Sequence, residues 1–356
     1  MTVHAPLPST DHVLADVRNH IGHLTLNRPG GLNALTLDMV RSLHQHLQTW
    51  AQDPQIKAVV LRGEGPKGFC AGGDIRSLHD SYKAGSDLHE RFFVEEYALD
   101  LCIHHYRKPV LVIMDGFTLG GGMGLAQGAD LRIVTERSRL GMPEVGIGYF
   151  PDVGGSYFLS RIPGELGTYL GVSGTQVQAA DALYCGLADW YLASDRLSTL
   201  DQGLDALNFG SHPLKDLQGL LAKLGTQTLE DAPLARLRPV IDHYFGQPDL
   251  PSILEQLRSV RIGDSQQWAH ATADLLETRS PLAMAVTLEM LRRGRHRSLE
   301  DCFAMELHLD RQWFAHGDIV EGVRALIVDK DKQPRWNPPT LAALSSQRVD
   351  QFFEGL

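Results

Sequence analysis

Two carboxylic acids, Glu144 and Asp152, stand in GMPEVGIGYFPDVGG (141–155), a stretch with almost no other polar side chain and no cation. Acidic side chains are rarely buried without a partner. An apolar wall raises the pKa of a carboxylic acid and suits it to proton transfer near neutral pH. An acid beside Pro143 or Pro151 also serves as a turn residue or as the cap of a short helix. Residue types alone leave both readings open.

Two glycine loops supply a second kind of chemistry. CAGGD (70–74) and LGGGMG (119–124) each follow an apolar strand pattern and precede a helical one. Adjacent glycines at such a turn let backbone N–H groups face a site without obstruction. Two loops together can offer two donors to one oxygen, which is an oxyanion hole; close helix–strand packing with no ligand is the alternative. Neither loop has the spacing GxGxxG or GxxxxGK[ST], so dinucleotide and P-loop readings fail.

Other candidates are weaker. Asp74 reads as the N-cap of a helix starting at Ile75 rather than as a metal ligand, and Cys70 as a small buried side chain. Ser156 in GGSYF lacks the GxSxG frame of a nucleophile elbow. The sixteen histidines make no HExxH pattern and are expected mostly at the surface, so no metal site is expected. RRGRHR (292–297) reads as a solvated basic face, with anionic phosphates as the alternative partner.

These residues need a scaffold. VLADVR (13–18) and IGHLTLN (21–27) read as strands joined at Asn19-His20, and Thr36 caps an amphipathic helix over 36–53. IKAVVLRGEG (56–65), KPVLVIMDG (108–116) and LRIVTE (131–136) are apolar runs typical of strands buried on both faces. Residues 75–106 are helical by pattern. The alternation argues an α/β core. Helices are expected over 175–186, 251–260, 281–294 (Ser280 as N-cap, Pro281 first) and 298–317 (Ser298 as N-cap). Segment 329–339 is expected as an extended, exposed tail. The expected division is 1–205, carrying the site, and 206–356, mostly helical, completing the site or an oligomer surface.

The chain has 356 residues, 43% of them hydrophobic, with a formal net charge of −10. That is enough for a large core, and an acidic surface argues against sequence-independent nucleic-acid binding. Four scattered cysteines (70, 102, 185, 302) form no CxxC and suit a reduced, cytoplasmic protein. MTVHAPLPSTDHVLADV lacks a signal-peptide pattern, and no apolar run approaches the ~18 residues of a membrane span.

LNRPGGLNAL (26–35), GFCAGGDI (68–75), DGFTLGGGMGL (115–125) and MPEVGIGYFPDVGG (142–155), in this order and spacing, resemble the crotonase (enoyl-CoA hydratase/isomerase) superfamily. The resemblance implies a spiral of ββα turns followed here by a helical C-terminal region, and an acyl-CoA thioester substrate with no further cofactor. It maps the oxyanion donors onto Gly73 and Gly121, and the CoA-binding backbone onto 30–34 and 70–75. Hydratases of the superfamily carry a second catalytic acid at the position of Gly124. FFVEEYALD (92–100), GYFPDVGGSYFLSRIPGELGTYL (148–170) and EGVRALIVDKDKQPRWNP (321–338) resemble a thioester-hydrolysing branch that acts on short 3-hydroxyacyl-CoA in valine degradation. That branch's substrate positions fall on Glu96, Gly121, Glu144 and Asp152, with Glu144 and Asp152 catalytic. A hydratase or isomerase on enoyl-CoA and a non-catalytic acyl-CoA-binding protein are the alternatives, and a homo-oligomer is compatible with the superfamily.

Overall fold

The runs AVVL and VLVIM become the middle of a parallel sheet because apolar side chains on both faces suit a strand covered twice. In the computed structural model the described residues are 11–261, 263 and 265–356. They group into two compact units, one within 1–74, 95–140 and 178–230, the other within 75–94, 141–177 and 231–356.

The first unit is built on six strands: β1 (Val13–Arg18), β2 (Ile21–Leu26), β3 (Ala58–Gly63), β5 (Val110–Met114), β7 (Leu131–Val134) and β9 (Trp190–Tyr191). Their spatial order is β1-β2-β3-β5-β7-β9. The β1–β2 pair is antiparallel, and every later pair is parallel. The hairpin turns through Asn19 and His20, both at positive φ, as a two-residue turn matched to strand twist requires. One face of the sheet packs Val60, Leu111, Ile113 and Ile133 against Leu200, Leu204, Leu217 and Leu221 of the helices Leu197–Asp205 and Pro213–Leu224. On the other face Val59, Leu61 and Val110 meet Leu43, Leu47, Ile103 and Leu125 around a void of only about 10 Å³. Thr36 caps the helix Leu37–Gln52 as expected, its hydroxyl accepting the Met39 N–H at 3.3 Å.

A second sheet, of order β4-β6-β8, contains β4 (Gly68–Cys70), β6 (Phe117–Leu119) and β8 (Arg139–Gly141). Three-residue strands are too short to show a period, so the sequence pattern gives no sign of them. They correct one expectation. The glycine loops follow β4 and β6, not the long strands before them.

The second unit is helical. Helix Pro281–Gly294 starts on Ser280, whose hydroxyl accepts the Ala283 N–H at 3.0 Å. It packs on Leu166–Ser173, where Gly171 admits the Leu291 side chain. Helix Leu299–His316 is capped by Ser298. One expectation is corrected here. Segment 329–339 is mostly exposed and forms no helix or strand, but it turns at Lys330 and Lys332, both at positive φ, and it is not a tail. Beyond it the short helices Ser346–Asp350 and Gln351–Phe353 follow, with Phe352 and Phe353 buried. RRGRHR is exposed at Arg292, Arg295 and His296, and its arginines also meet protein groups. Arg292 donates to the Gln247 and Pro248 carbonyls, Arg293 pairs with Glu289 and covers the Phe353 ring, and Arg295 pairs with Glu165.

Candidate functional site

In the first unit the two glycine loops converge. A Cβ on Gly121 would lie 3.5 Å from the Gly73 nitrogen, and one on Gly72 would lie 3.5 Å from the Gly121 nitrogen. Gly72 and Gly120 have φ of +97° and +51°, a region that favours glycine. Gly121 opens the helix Gly121–Gln127, so its N–H has no intrahelical acceptor. Among the described residues no protein acceptor takes the N–H of Gly73 or of Gly121.

Helix Leu88–His104 brings Glu96 to the same place. Glu96 is 2% exposed, and its Oε1 fills the space where a side chain on Gly121 would begin. Asp100, one turn on, is also buried. Behind the loop Cys70 is fully buried, and burial pushes its thiol up to about 12, with the Glu96 and Asp100 charges adding to the rise. That matches its reading as a small buried side chain. Asp74 directly precedes the helix Ile75–Lys83 and pairs with Arg28 at 3.0 Å.

In the second unit Glu144 and Asp152 come together. Glu144 opens a 3-10 turn, Glu144–Ile147, after Pro143, so it is both a turn residue and a buried acid. The two are 7% and 5% exposed. Burial, and then the charge of Asp152, raise the Glu144 carboxyl well above the usual range. Its Oε2 has no hydrogen-bond partner among the described residues. A proton-accepting group poised in this way suits chemistry near neutral pH.

Three residues of helix Leu299–His316 hold this loop, and the sequence reading missed all three. Glu306, Asp310 and Trp313 fall at i, i+4 and i+7 and so share one face. Glu306 accepts the Gly154 N–H at 2.7 Å, the Ser156 N–H at 2.8 Å and the Ser156 hydroxyl at 2.5 Å. Asp310 accepts the Tyr149 hydroxyl at 2.9 Å, and the Trp313 indole donates to the Gly148 carbonyl at 2.8 Å. Burial pushes Glu306 up to about 8 against its three donors, and raises Asp310 as well. The detectable signal was two acids on the apolar stripe of that helix. Ser156, bound to Glu306, is not presented as a nucleophile. The stretch 141–155 has no cation of its own, but Arg279 brings its guanidinium beside Gly146 while donating to the Ser173 carbonyl at 3.0 Å.

Among the described residues no group of three or more His, Cys, Asp or Glu side chains is placed to hold a metal ion, and no helix is long and apolar enough to cross a membrane. All four cysteines are free thiols. Three histidines, His23, His46 and His79, are buried rather than at the surface.

A model of the enoyl-CoA hydratase/isomerase family matches residues 21–353. A Danio rerio protein named 3-hydroxyisobutyryl-CoA hydrolase, mitochondrial, is 38% identical over 348 residues, covering 97% of this chain and 90% of its own. Its Homo sapiens counterpart is 34% identical over 352 residues, covering 98% and 90%. A solved structure described as a carnitinyl-CoA dehydratase from Mycobacterium thermoresistibile has a TM-score of 0.89 at 37% identity, covering 98% of this chain and 97% of its own. One described as an enoyl-CoA hydratase from Rhodobacter sphaeroides has a TM-score of 0.86 at 34% identity, covering 97% and 98%.

Proposed function

The chain belongs to the enoyl-CoA hydratase/isomerase family, and from that membership we propose that it hydrolyses a short 3-hydroxyacyl-CoA thioester, 3-hydroxyisobutyryl-CoA first. One observation carries the acyl-CoA chemistry: the Gly73 and Gly121 N–H groups lie close together and, among the described residues, no protein group accepts them. In the proposed reaction they donate to the thioester carbonyl oxygen, which gains negative charge as the tetrahedral intermediate forms. One such donor is worth ~2.7–4 kcal/mol in a well-studied hydrolase. Hydrolysis, rather than another reaction of the family, is supported by relatives of that name along nearly the whole chain.

Glu144 is the reacting acid in this proposal, and two routes are open to it. As general base it takes a proton from water, the hydroxide adds to the carbonyl, and the C–S bond breaks to release CoA thiolate. As nucleophile its carboxylate displaces the thiolate to give a mixed anhydride, which water then cleaves. Asp152 orients the 3-hydroxyl or the water, and Glu96 contributes at the acyl end. The reaction needs no cofactor beyond the coenzyme A of the substrate. The compartment proposed is a reducing one, the cytoplasm, in keeping with four free thiols; the relatives named above are mitochondrial.

A second reading, addition of water to an enoyl-CoA, is favoured by one feature. Gly124 lacks the acid that hydratases carry there, but Glu96 sets a carboxyl against Gly121. A thiol-release assay on 3-hydroxyisobutyryl-, 3-hydroxypropionyl-, 3-hydroxybutyryl- and crotonyl-CoA separates the two. Hydrolysis liberates a thiol from the hydroxyacyl esters. Hydration removes the enoyl absorbance of crotonyl-CoA and frees none. Single turnover in ¹⁸O-water then tests for the anhydride: cleavage by water at the Glu144 carbonyl puts label in Glu144, which the general-base route never labels.

A further inference from the structure

We propose that Glu306 is a positioning residue for the reaction, clamping the turn after Asp152 so that the Asp152 carboxyl keeps one orientation. Four observations lead there. First, Val153 has φ of +50° and Gly154 of +86°. A β-branched residue in the left-handed region is an outlier and persists only where its surroundings over-determine it. Second, the determining group is one carboxyl: Glu306 collects Gly154 N–H, Ser156 N–H and Ser156 Oγ–H within 2.8 Å. Gly155 N–H completes the turn on the Asp152 carbonyl at 2.7 Å. Asp152 therefore sits at the entrance of a turn whose exit is fixed from another element.

Third, the clamp is an expensive one. Glu306 is 0% exposed with no cation among its partners. A buried ionisable group without a cation is weak evidence of a contribution to stability, which leaves holding the turn as the role proposed for it. Fourth, the other side of Gly154 is apolar. Gly154 approaches the Phe303 ring, 3.1 Å from where a Cβ would stand, so that side offers packing but no acceptor. Glu306 reaches none of the reacting atoms in this assignment; it acts through Asp152.

The inference rests on the thioester-hydrolysis proposal, and its test has one arm that does not. Amide hydrogen exchange of the full-length protein is compared for wild type and Glu306→Gln, with Glu306→Asp as the second variant should the first fold poorly. Because glutamine keeps one oxygen acceptor, at least one of the Gly154 and Ser156 amides is expected to exchange at least about tenfold faster, the effect of losing one buried acceptor, while the helix Leu299–His316 keeps its protection. Unchanged exchange at Gly154 and Ser156 overturns the clamp.

The second arm reads CoA release from 3-hydroxyisobutyryl-CoA and from isobutyryl-CoA, which lacks the hydroxyl. Glu306→Gln is expected to lower kcat on the order of 10²-fold, as misplacement of a catalytic group by a fraction of an ångström to 1 Å does. KM should change little, and preference for the 3-hydroxyl should fall as it does in Asp152→Asn. The double variant should be no slower than Asp152→Asn alone, because the two act as one unit. Additive losses, or a change in substrate preference unlike that of Asp152→Asn, overturn the positioning role. If wild type releases no thiol, the assigned reaction fails, and the exchange result alone upholds or removes the clamp.

Discussion

Glu96 and Gly121 exclude a side chain between them: Oε1 of Glu96 fills the volume into which a Cβ at position 121 would project. The same Cβ would stand 3.5 Å from the Gly73 nitrogen. Gly121→Ala should therefore push Glu96 aside and crowd the paired N–H groups. Overpacking of this kind costs about 1–3 kcal/mol, read as a lower Tm. CoA release should fall ~10²-fold or more, the scale of losing an oxyanion donor. Adding Glu96→Ala should recover Tm but not activity. A Gly121→Ala protein with wild-type turnover would remove Gly121 from the site.

Glu144→Gln keeps shape and removes the titrating group. Turnover should drop on the order of 10²–10⁴-fold, as for loss of a general base, while calorimetric affinity for a non-hydrolysable acyl-CoA analogue stays the same. Loss of affinity in parallel with turnover would make Glu144 a binding residue and not the reacting acid. Asp152→Asn should act differently, with its largest effect on substrates that carry the 3-hydroxyl.

How much of this was legible follows from range. The long strands and capped helices are local patterns, and 13–18, 110–114, 281–294 and 299–316 lie where the apolar period and the capping serines put them. Gly73 and Gly121 stood out because glycine clusters are conspicuous in any sequence, although β4 and β6, which deliver them, are too short to register. Glu306 and Asp310 were hidden for another reason. Within SLEDCFAMELHLDRQWFAHG they are two acids among four, and although they interrupt its apolar stripe, nothing local says what they hold. Only the meeting with Tyr149, Gly154 and Ser156, about 150 positions earlier, gives them a role. RRGRHR is exposed at Arg292, Arg295 and His296, yet Arg292 and Arg295 also reach carbonyls and an acid distant in sequence, contacts that no local pattern announces.

Stability should depend on pH in a way that Glu306 makes visible. Its folded pKa of about 8 exceeds the ordinary 4.5, so the folded state holds a proton that the unfolded state has released. Stability is then present below 4.5 and declines as pH rises through about 8. Burial of Glu144 and Asp310 shifts them the same way. His23 acts oppositely, because burial lowers it from 6.5 to about 4 and stability rises with pH across that window. Above 6.5 only the acids remain, so urea midpoints should fall from pH 6.5 to about 8. The fall should be shallower in Glu306→Gln. Parallel profiles for the two proteins would show that Glu306 does not titrate in this range.

Trp313 offers a test of how the Glu144 turn is held. Its indole N–H donates to the Gly148 carbonyl, and its ring lies edge-on to Phe150 at 5.0 Å. Gly148 closes the 3-10 turn that Glu144 opens, at φ of +74° and with the Asp318 carbonyl 2.6 Å from where a Cβ would stand. Trp313→Phe keeps an aromatic ring but removes the donor. The Gly148 carbonyl then lacks that bond, which costs about 1–3 kcal/mol when the acceptor stays buried. Because the freed carbonyl ends the Glu144 turn, kcat should fall while KM stays near wild type. Trp313→Leu should lose more stability, through the cavity it leaves, with no further loss of turnover per folded molecule. Equal kcat in wild type and Trp313→Phe would show that ring packing alone sets the turn, and that the Gly148 bond contributes to folding without orienting Glu144.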